Sequence, residues 1–200
     1  MKTSLREFIN KELPHSFLMI TTGLPATGKT RAVAEVEKIR HCPVLRSDII
    51  RLELLKGQDV FDVKVAGDMK QRLAVYEELF RRADETLKKN HCVILDATFI
   101  TNALRKRAAE IAVRHNKTFI ILHAECPQEI ALNRIKKRSK ENYESNAIDE
   151  RAYRDNAEKF EPVDIYGIKK SFPTLAVTHV KLDTSGNGND RILVTGVKKG

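Results

Sequence analysis

The eight residues from Gly23 to Thr30 have types and a spacing that suit the binding of phosphate groups. They fit the pattern Gly-x-x-x-x-Gly-Lys-Ser/Thr, between a predicted strand and a predicted helix. Gly23 and Gly28 permit a close approach to an anion that a Cβ would obstruct. Consecutive N–H groups at a helix start can then point at phosphate oxygens. The predicted phosphate-binding residues are Gly23, Leu24, Pro25, Ala26, Thr27, Gly28, Lys29 and Thr30.

The end of this segment and one later acid predict that ATP binds together with Mg²⁺. The Lys29 ammonium can reach the β- and γ-phosphates, and the Thr30 hydroxyl can ligate Mg²⁺. Asp96 follows the apolar run Cys92–Leu95, so a parallel sheet would place it beside the phosphates, where it could hold a Mg²⁺-bound water. The alternative for Asp96 is a strand-end acid that caps the next turn. Thr30 and Asp96 are thus the predicted metal residues, with ATP and Mg²⁺ as cofactors.

Asp48 and Arg51 lie three residues apart at the start of a predicted helix, so their side chains share one face. A carboxylate there could accept the proton of an attacking hydroxyl, while the guanidinium stabilises phosphate charge. In the alternative, the acid complements the helix dipole and Arg51 simply pairs with it. Position alone does not separate these two interpretations.

Arg134 and Arg138 are four residues apart in another predicted helix and therefore face the same way. Guanidinium groups suit phosphate because their forked donors match its oxygens and keep their charge. The alternative is a solvated basic face, since Lys136, Lys137 and Lys140 surround the pair.

Apolar strands alternate with helical patterns along the chain, which predicts an α/β fold with a mostly parallel sheet and helices on both faces. About five strands are expected, over residues 17–22, 43–45, 92–95, 118–123 and 175–182. Helices are expected in the first fourteen residues and over 29–40, 48–55 with Ser47 as N-cap, 68–90, 102–115, 128–138 and about 149–160. Ligands of such sheets collect beyond the carboxyl ends of the strands. Residues 1–200 are expected to form one domain, with a mobile polar segment over 139–148.

The composition restricts the partners of the protein without identifying them. A formal net charge of +9 suits a polyanion, or is simply a solvated basic surface. Only 6% of the residues are aromatic and none is Trp, so nucleic acid, which usually stacks on aromatic side chains, is not favoured. Three cysteines at scattered spacings predict no disulfide framework, which favours a reducing compartment. With no leader or membrane-length apolar run, we expect a cytoplasmic protein that does not enter a membrane.

Several motifs together resemble the P-loop kinase family of AAA-type ATP-binding proteins. This family includes polynucleotide 5′-hydroxyl kinase domains, zeta-toxin-like kinases and chloramphenicol phosphotransferase. The resemblance covers nearly the whole chain and is carried by GLPATGKT at Gly23, SDIIR at Ser47, VILDATF at Val93, the pair Arg134 and Arg138, and FEP at Phe160. It implies a P-loop NTPase fold in which Asp48 is the base toward the acceptor hydroxyl and Arg51 contacts the substrate or the transferred phosphate.

The same resemblance implies a helical lid over about 128–160, in which Arg134 and Arg138 close over the transferring phosphoryl group. It also places the loop that contains Asp183 and Thr184 against the adenine, although a polar turn explains that loop nearly as well.

Three positions depart from the family pattern. Ala26 stands where Gly is frequent, Arg31 where Ser or Thr is common, and Asn146 where many relatives carry Asp. These departures leave ATP binding intact, and Arg31 is kept among the nucleotide-binding residues, but they leave the acceptor open.

The sequence therefore predicts a P-loop kinase that transfers the γ-phosphoryl group of Mg-ATP to a hydroxyl. Its predicted catalytic residues are Lys29, Asp48, Arg51, Arg134 and Arg138. A small-molecule acceptor is favoured over a polynucleotide 5′ end because the chain lacks an aromatic platform. The alternative, from a different class, is a nucleotide-dependent regulatory switch that hydrolyses ATP slowly.

Overall fold

A mostly parallel sheet of seven strands organises the residues that the computed structural model describes, which are 3–57, 68–138, 150–186 and 192–200. The strands are β1 (Thr3–Ser4), β2 (Phe17–Thr22), β3 (Val44–Arg46), β4 (Cys92–Asp96), β5 (Thr118–Glu125), β6 (Val177–Asp183) and β7 (Leu193–Lys199). Their order in the sheet is β1-β7-β6-β5-β2-β4-β3. Strands β2 to β6 are parallel, whereas β7 is antiparallel to β6 and β1 to β7. The predicted parallel sheet of about five strands is confirmed, and the two terminal strands extend it.

The register brings the carboxyl ends of the central strands to one edge of the sheet. Thr22 at the end of β2 pairs with His123 of β5, and Arg46 at the end of β3 pairs with Asp96 at the end of β4. Parallel strands need crossover connections, so the segments that leave β2, β3 and β4 all start from this edge. The phosphate-binding segment, the Asp48 helix and Asp96 are therefore neighbours.

Eight helices flank the sheet in the described part of the chain. They are α1 (Leu5–Lys11), α2 (Lys29–Arg40), α3 (Ser47–Leu54), α4 (Met69–Leu87), α5 (Asn102–Arg114), α6 (Gln128–Lys136), α7 (Glu150–Glu158) and α8 (Ile165–Ser171). The sequence misses α8, a seven-residue helix that contains Gly167 and buries only Ile168. Ser47 as an N-cap is also wrong: β3 runs directly into α3, and Arg46 holds the cap position without a side-chain cap bond.

Each face of the sheet has its own apolar core. Leu18 and Ile20 of β2 pack in a cluster with residues of α4, α5 and α8, whereas Phe17 and Met19 pack in a second cluster with residues of α1 and α2. All six residues of β2 are buried, as expected for a central parallel strand covered on both sides. None of the described helices combines the length and the apolar character needed to cross a membrane.

A disulfide joins Cys42 to Cys92 across 50 residues of sequence, which corrects the expectation that the cysteines are not paired. The two residues precede β3 and begin β4, which are neighbours in the sheet, so the pairing depends on strand order and could not be read from spacing. Cys126 is the free thiol of the chain. With two of the three cysteines joined, cysteine usage no longer favours a reducing compartment, and the cytoplasmic location stays a prediction.

Candidate active site

The phosphate-binding segment forms a loop between β2 and α2 whose backbone requires glycine at two positions. Gly23 has a φ of 130°, and a Cβ there would lie 2.3 Å from the carbonyl oxygen of Ala124 on β5. Gly28 has a φ of 84°, and its Cβ would lie 3.1 Å from the Cβ of Thr184. Ala26 also has a positive φ, 59°, which is a left-handed conformation that favours glycine. This conformation gives a physical reason why Gly suits position 26.

The start of α2 is built to face an anion. Gly28 occupies the cap position. Because glycine has no side chain, no side-chain cap hydrogen bond is made to the first N–H groups of the helix. A helix start of this kind presents N–H donors and the positive end of the helix dipole. Together with the loop it forms the arrangement in which proteins bind phosphate.

The Lys29 ammonium lies inside this loop, where it donates hydrogen bonds to the carbonyl oxygens of Gly23 (3.0 Å) and Leu24 (2.7 Å). Burial lowers the pKa of Lys29 to about 8, and the Asp96 carboxylate opposes that shift. The ammonium therefore keeps its proton at neutral pH. Its position and charge suit contact with phosphate oxygens.

Asp96 links the end of β4 to the start of α2 and to the neighbouring strand β2. Its Oδ2 accepts a hydrogen bond from the Thr30 hydroxyl at 2.9 Å, and its Oδ1 accepts one from the Thr21 hydroxyl at 3.1 Å. The Asp96 side chain is buried, with 7% exposure. A hydroxyl and a carboxylate side by side are hard oxygen donors of the kind that Mg²⁺ prefers. The two predicted metal residues are thus in direct contact.

Asp48 lies in the first turn of α3 and is partly buried. The other charged groups of the site affect its pKa. Burial and then the Asp96 carboxylate raise its pKa to about 6, while Arg51 and Lys29 oppose the shift. Such a carboxyl group is ionised at neutral pH but holds a proton more readily than an ordinary aspartate. A general base is most effective with a pKa near the working pH.

The two arginines predicted to act together occupy different environments. The charge of Arg138 acts on both Lys29 and Asp48 and lowers the pKa of each group, which places it beside the site. Arg134 donates from Nη2 to the carbonyl oxygen of Thr184 at 2.6 Å, and from Nη1 to that of Ala26 at 3.2 Å. Arg134 thus ties the loop to the chain that leaves β6. Residues 139–149 of the predicted lid, including Asn146, lie outside the described residues.

The chain after β6 contacts the loop directly, through Thr184. The Thr184 hydroxyl donates to the carbonyl oxygen of Thr27 at 2.6 Å, and its N–H donates to that of Glu125 at 3.0 Å. Arg31 also donates to the Thr184 carbonyl, at 3.0 Å, whereas Asp183 accepts from the N–H of Ser185. No local sequence pattern indicates that Thr184, which is fully buried, braces the phosphate-binding loop.

Sequence reasoning also missed two side chains behind the site. Arg105 is fully buried, and its guanidinium donates to the carbonyl oxygens of Phe99 at 2.9 Å and Glu161 at 2.8 Å. The Tyr76 hydroxyl accepts the Phe99 N–H at 3.1 Å. Arg105 falls in a helical pattern, where an arginine usually points to solvent. The only signal was the FEP motif, whose backbone Arg105 holds.

Residues 18–163 match the family model of an AAA domain, a match over more than half of the chain. Solved structures share the fold at low identity. A putative kinase from Chloroflexus aurantiacus J-10-fl has a TM-score of 0.62 at 18% identity, over 86% of this chain and 90% of that one. A sugar kinase from Janibacter sp. HTCC2649 has a TM-score of 0.58 at 14% identity, over 84% and 85%. Kti12 from Chaetomium thermophilum, in complex with ADP-AlF3, has a TM-score of 0.53 at 19% identity, over 74% and 81%.

Proposed function

This chain belongs to the AAA domain family, and we propose that it is a P-loop kinase that transfers the γ-phosphoryl group of Mg-ATP to a hydroxyl acceptor. The observation that carries the proposal is the environment of Asp48, where burial and then the Asp96 charge raise its pKa and the Lys29 charge acts on it as well. A loop that only binds phosphate needs Lys29 but has no use for a second, partly buried acid with a raised pKa. A kinase needs such an acid where the acceptor hydroxyl loses its proton.

The loop from Gly23 to Thr30, with Arg31, is proposed to hold the phosphates of ATP. Its N–H donors and Lys29 supply the contacts, and Thr184 with Arg134 keeps the loop in shape. Asp183 and Thr184 are proposed to lie near the adenine. The structural relative bound to ADP-AlF3 supports a nucleotide as the ligand.

Thr30 and Asp96 are proposed to hold Mg²⁺, because their oxygens lie 2.9 Å apart and are hard donors. When bound, the ion would neutralise charge on the β- and γ-phosphate oxygens. The step itself is a displacement at phosphorus. The acceptor oxygen forms the new bond to the γ-phosphorus, the bond to the β,γ-bridging oxygen breaks, and an Asp48 oxygen takes the acceptor's proton.

Arg51, Arg138 and Lys29 are proposed to stabilise the negative charge that develops on the transferring group. Arg138 acts on both Lys29 and Asp48, so it can serve the donor and the acceptor sides. Arg134 is proposed to help stabilise this negative charge as well, and it also positions the loop. These residues belong to a single domain, 1–200, in which residues 128–160 form the proposed lid.

The acceptor is proposed to be a small molecule, in preference to a polynucleotide 5′ end. A sugar kinase among the structural relatives and the low aromatic content support that choice. The alternative is a regulatory switch that hydrolyses ATP slowly, which would make the raised pKa of Asp48 irrelevant to turnover.

A screen of acceptors with γ-labelled ATP tests the proposal. The panel would contain sugars, nucleosides, aminoglycosides and oligonucleotides with 5′ hydroxyls, each incubated with the wild type and with Asp48→Asn. Label should appear in one acceptor class and depend on Asp48. Slow release of phosphate that no acceptor changes would instead favour the switch.

A further inference from the structure

Thr98 is the one residue from Cys92 to Ile100 that is not buried. It follows the end of β4 by two residues, in the segment that leads to α5. We call residues 97–100 the β4 turn. The other three residues of this turn are at most 5% exposed. The β4 turn therefore presents a single polar side chain beside the candidate active site, and the mechanism proposed above gives that side chain no role.

The backbone of the β4 turn is strained. Phe99 has a φ of 41°, a left-handed conformation that is rare for a bulky residue other than glycine. Such a conformation costs on the order of 1–3 kcal/mol and persists only where the surrounding structure enforces it. Strain of this kind is concentrated at functional sites, so it suggests that the position of the β4 turn matters for function.

Side chains from three elements hold the β4 turn in place. From β2, the Thr22 hydroxyl donates a shared hydrogen bond to the carbonyl oxygens of Thr98 (3.3 Å) and Phe99 (3.1 Å). From α4, the Tyr76 hydroxyl accepts the Phe99 N–H at 3.1 Å. From α5, the buried Arg105 guanidinium donates to the Phe99 carbonyl oxygen at 2.9 Å. The backbone that carries Thr98 is thus fixed before any ligand binds, as a preorganised site requires.

The register of the sheet brings Thr98 to the same part of the site as Asp48. Arg46 at the end of β3 pairs with Asp96 at the end of β4. Asp48 follows Arg46 by two residues and Thr98 follows Asp96 by two, so both leave the same edge from strands about 4.8 Å apart. Burial raises the pKa of Tyr76, and the Asp48 charge adds to that shift. Asp48 therefore lies within electrostatic reach of the Tyr76 hydroxyl, which is 3.5 Å from the Thr98 hydroxyl.

The Thr98 hydroxyl has a proton that it can donate to a ligand. The Tyr76 oxygen accepts the Phe99 N–H, so its own proton can be directed at the Thr98 oxygen. The Thr98 proton can then point away from the β4 turn. A hydroxyl donor near a carboxylate suits an alcohol, because the donor meets an oxygen lone pair while the carboxylate accepts the alcohol proton.

We propose that Thr98 binds the acceptor: its hydroxyl donates a hydrogen bond to the acceptor oxygen that attacks the γ-phosphorus and orients that oxygen toward Asp48. This inference rests on the proposed kinase function and names the group that holds the acceptor alcohol. One lone pair of the acceptor oxygen accepts the Thr98 proton donor, the other forms the bond to phosphorus, and Asp48 takes the acceptor's own proton. Thr98 lies outside the loop from Gly23 to Thr30, so its role concerns the acceptor and not ATP.

Two substitutions at Thr98 test this role. Thr98→Val removes the hydroxyl and nearly preserves the shape, whereas Thr98→Ser keeps the hydroxyl. The probes are glucose, adenosine, kanamycin and a 5′-hydroxyl oligonucleotide with γ-labelled ATP, and kinetics are measured with the compound that the wild type labels fastest. Thr98→Val should lower kcat/KM for that compound by about tenfold, which corresponds to the loss of one hydrogen bond.

The comparisons within the same experiment separate this role from a structural one. Thr98→Ser should stay close to the wild type, and the Kd for Mg-ATP should be unchanged in both variants. Thr174→Val, at an exposed threonine between α8 and β6, is the matched control. The Tm of each variant shows whether it is folded as the wild type is.

The possible failures are distinguishable. If the wild type labels a probe and Thr98→Val labels it equally well, the role of Thr98 is wrong and the kinase function stands. The role is also wrong if Thr98→Ser loses as much as Thr98→Val, or if Thr98→Val weakens Mg-ATP binding while the KM for the probe is unchanged. If the wild type only releases phosphate at a rate that no probe alters, the proposed kinase function fails, and the acceptor role of Thr98 fails with it.

Discussion

The two ends of β4 differ in their surroundings, although the strand is only five residues long, from Cys92 to Asp96. The amino end is joined covalently to Cys42 beside β3 and packs in an apolar cluster. The carboxyl end holds a buried carboxylate within reach of Lys29 and Asp48. Burial shifts the pKa of Lys29 and Asp48 toward their neutral forms, which means that folding disfavours their charges. The amino end of β4 therefore adds to the stability of the fold, whereas the charged groups beside its carboxyl end reduce it.

If the ends have these separate roles, substitutions at the carboxyl edge should change ligand binding and turnover much more than stability. Substitutions at the amino edge should do the opposite.

Lys29→Ala should have the largest effect, since it removes the ammonium group at the centre of the proposed phosphate site. Mg-ATP at a hundred times its Kd stabilises a folded protein by about 2.7 kcal/mol, and we expect most of that stabilisation to disappear. The rise in Tm on addition of Mg-ATP measures it. Lys38→Ala, an exposed lysine in the same helix, is the matched control. An equal Tm rise in both variants would remove Lys29 from the site.

Asp48→Asn should lower transfer to the acceptor by about 10²- to 10⁴-fold, the usual contribution of a general base. ATP affinity should stay near that of the wild type, because the loop is unchanged. Single-turnover transfer beside ATP titration measures both. Asp155→Asn, at an exposed aspartate of α7, controls for the loss of a carboxylate.

The pKa of Asp48 also predicts the direction in which Asp48→Asn changes stability. The folded pKa of Asp48, about 6, lies above the ordinary value of 3.8. The folded state is therefore favoured as the pH falls from above 6 toward 4, and the ionised form at pH 7 opposes folding. Replacing it by Asn removes that cost, so the Tm at pH 7 should not fall. A lower Tm with normal transfer would mean that Asp48 only stabilises the helix.

The sequence predicts the charged end of β4 better than the disulfide end. The loop from Gly23 to Thr30 is a local motif, so its residues and spacing are sufficient to identify it. Asp48 and Asp96 could be placed because each follows a strand of a parallel sheet. The Cys42–Cys92 bond, the bracing by Thr184 and the buried Arg105 depend on which strands and loops become neighbours, and no local pattern contains that information.

Arg138→Ala and Arg134→Ala should separate two functions that the sequence assigns to one pair. Arg138 faces the charges of the site, so its loss should lower turnover by roughly 10²-fold, as for a lost charge-stabilising donor. Arg134 braces Ala26 and Thr184, so its loss should raise the Kd for ATP more than it lowers turnover. Lys137→Ala, beside Arg138, is the control. Equal loss of ATP affinity in both variants would contradict the distinction.

The pH dependence of kcat/KM for Mg-ATP should be bell-shaped. Beyond each limb, kcat/KM should fall about tenfold per pH unit, a smaller effect than those of the substitutions above. Activity should fall below about pH 6, where Asp48 gains a proton, and above about pH 8, where Lys29 loses one. The Asp48→Asn variant should lack the acid limb and keep the basic limb. An acid limb that survives this substitution would have to come from another group.

Removal of the disulfide should have the smallest effect on turnover, because Cys42 and Cys92 lie at the opposite end of β4 from the proposed catalytic residues. The double variant Cys42→Ser with Cys92→Ser should transfer phosphate at nearly the rate of the wild type when both are folded. Its stability should fall substantially, since closing a loop of 50 residues contributes roughly 4 kcal/mol in the chain-entropy model. Chemical denaturation with and without dithiothreitol measures this: the reductant should bring the wild type to the stability of the double variant and leave the variant unchanged. If loss of the bond instead lowers turnover as much as Asp48→Asn does while the protein remains folded, the two ends of β4 are coupled, and the amino end also positions the charges at the other.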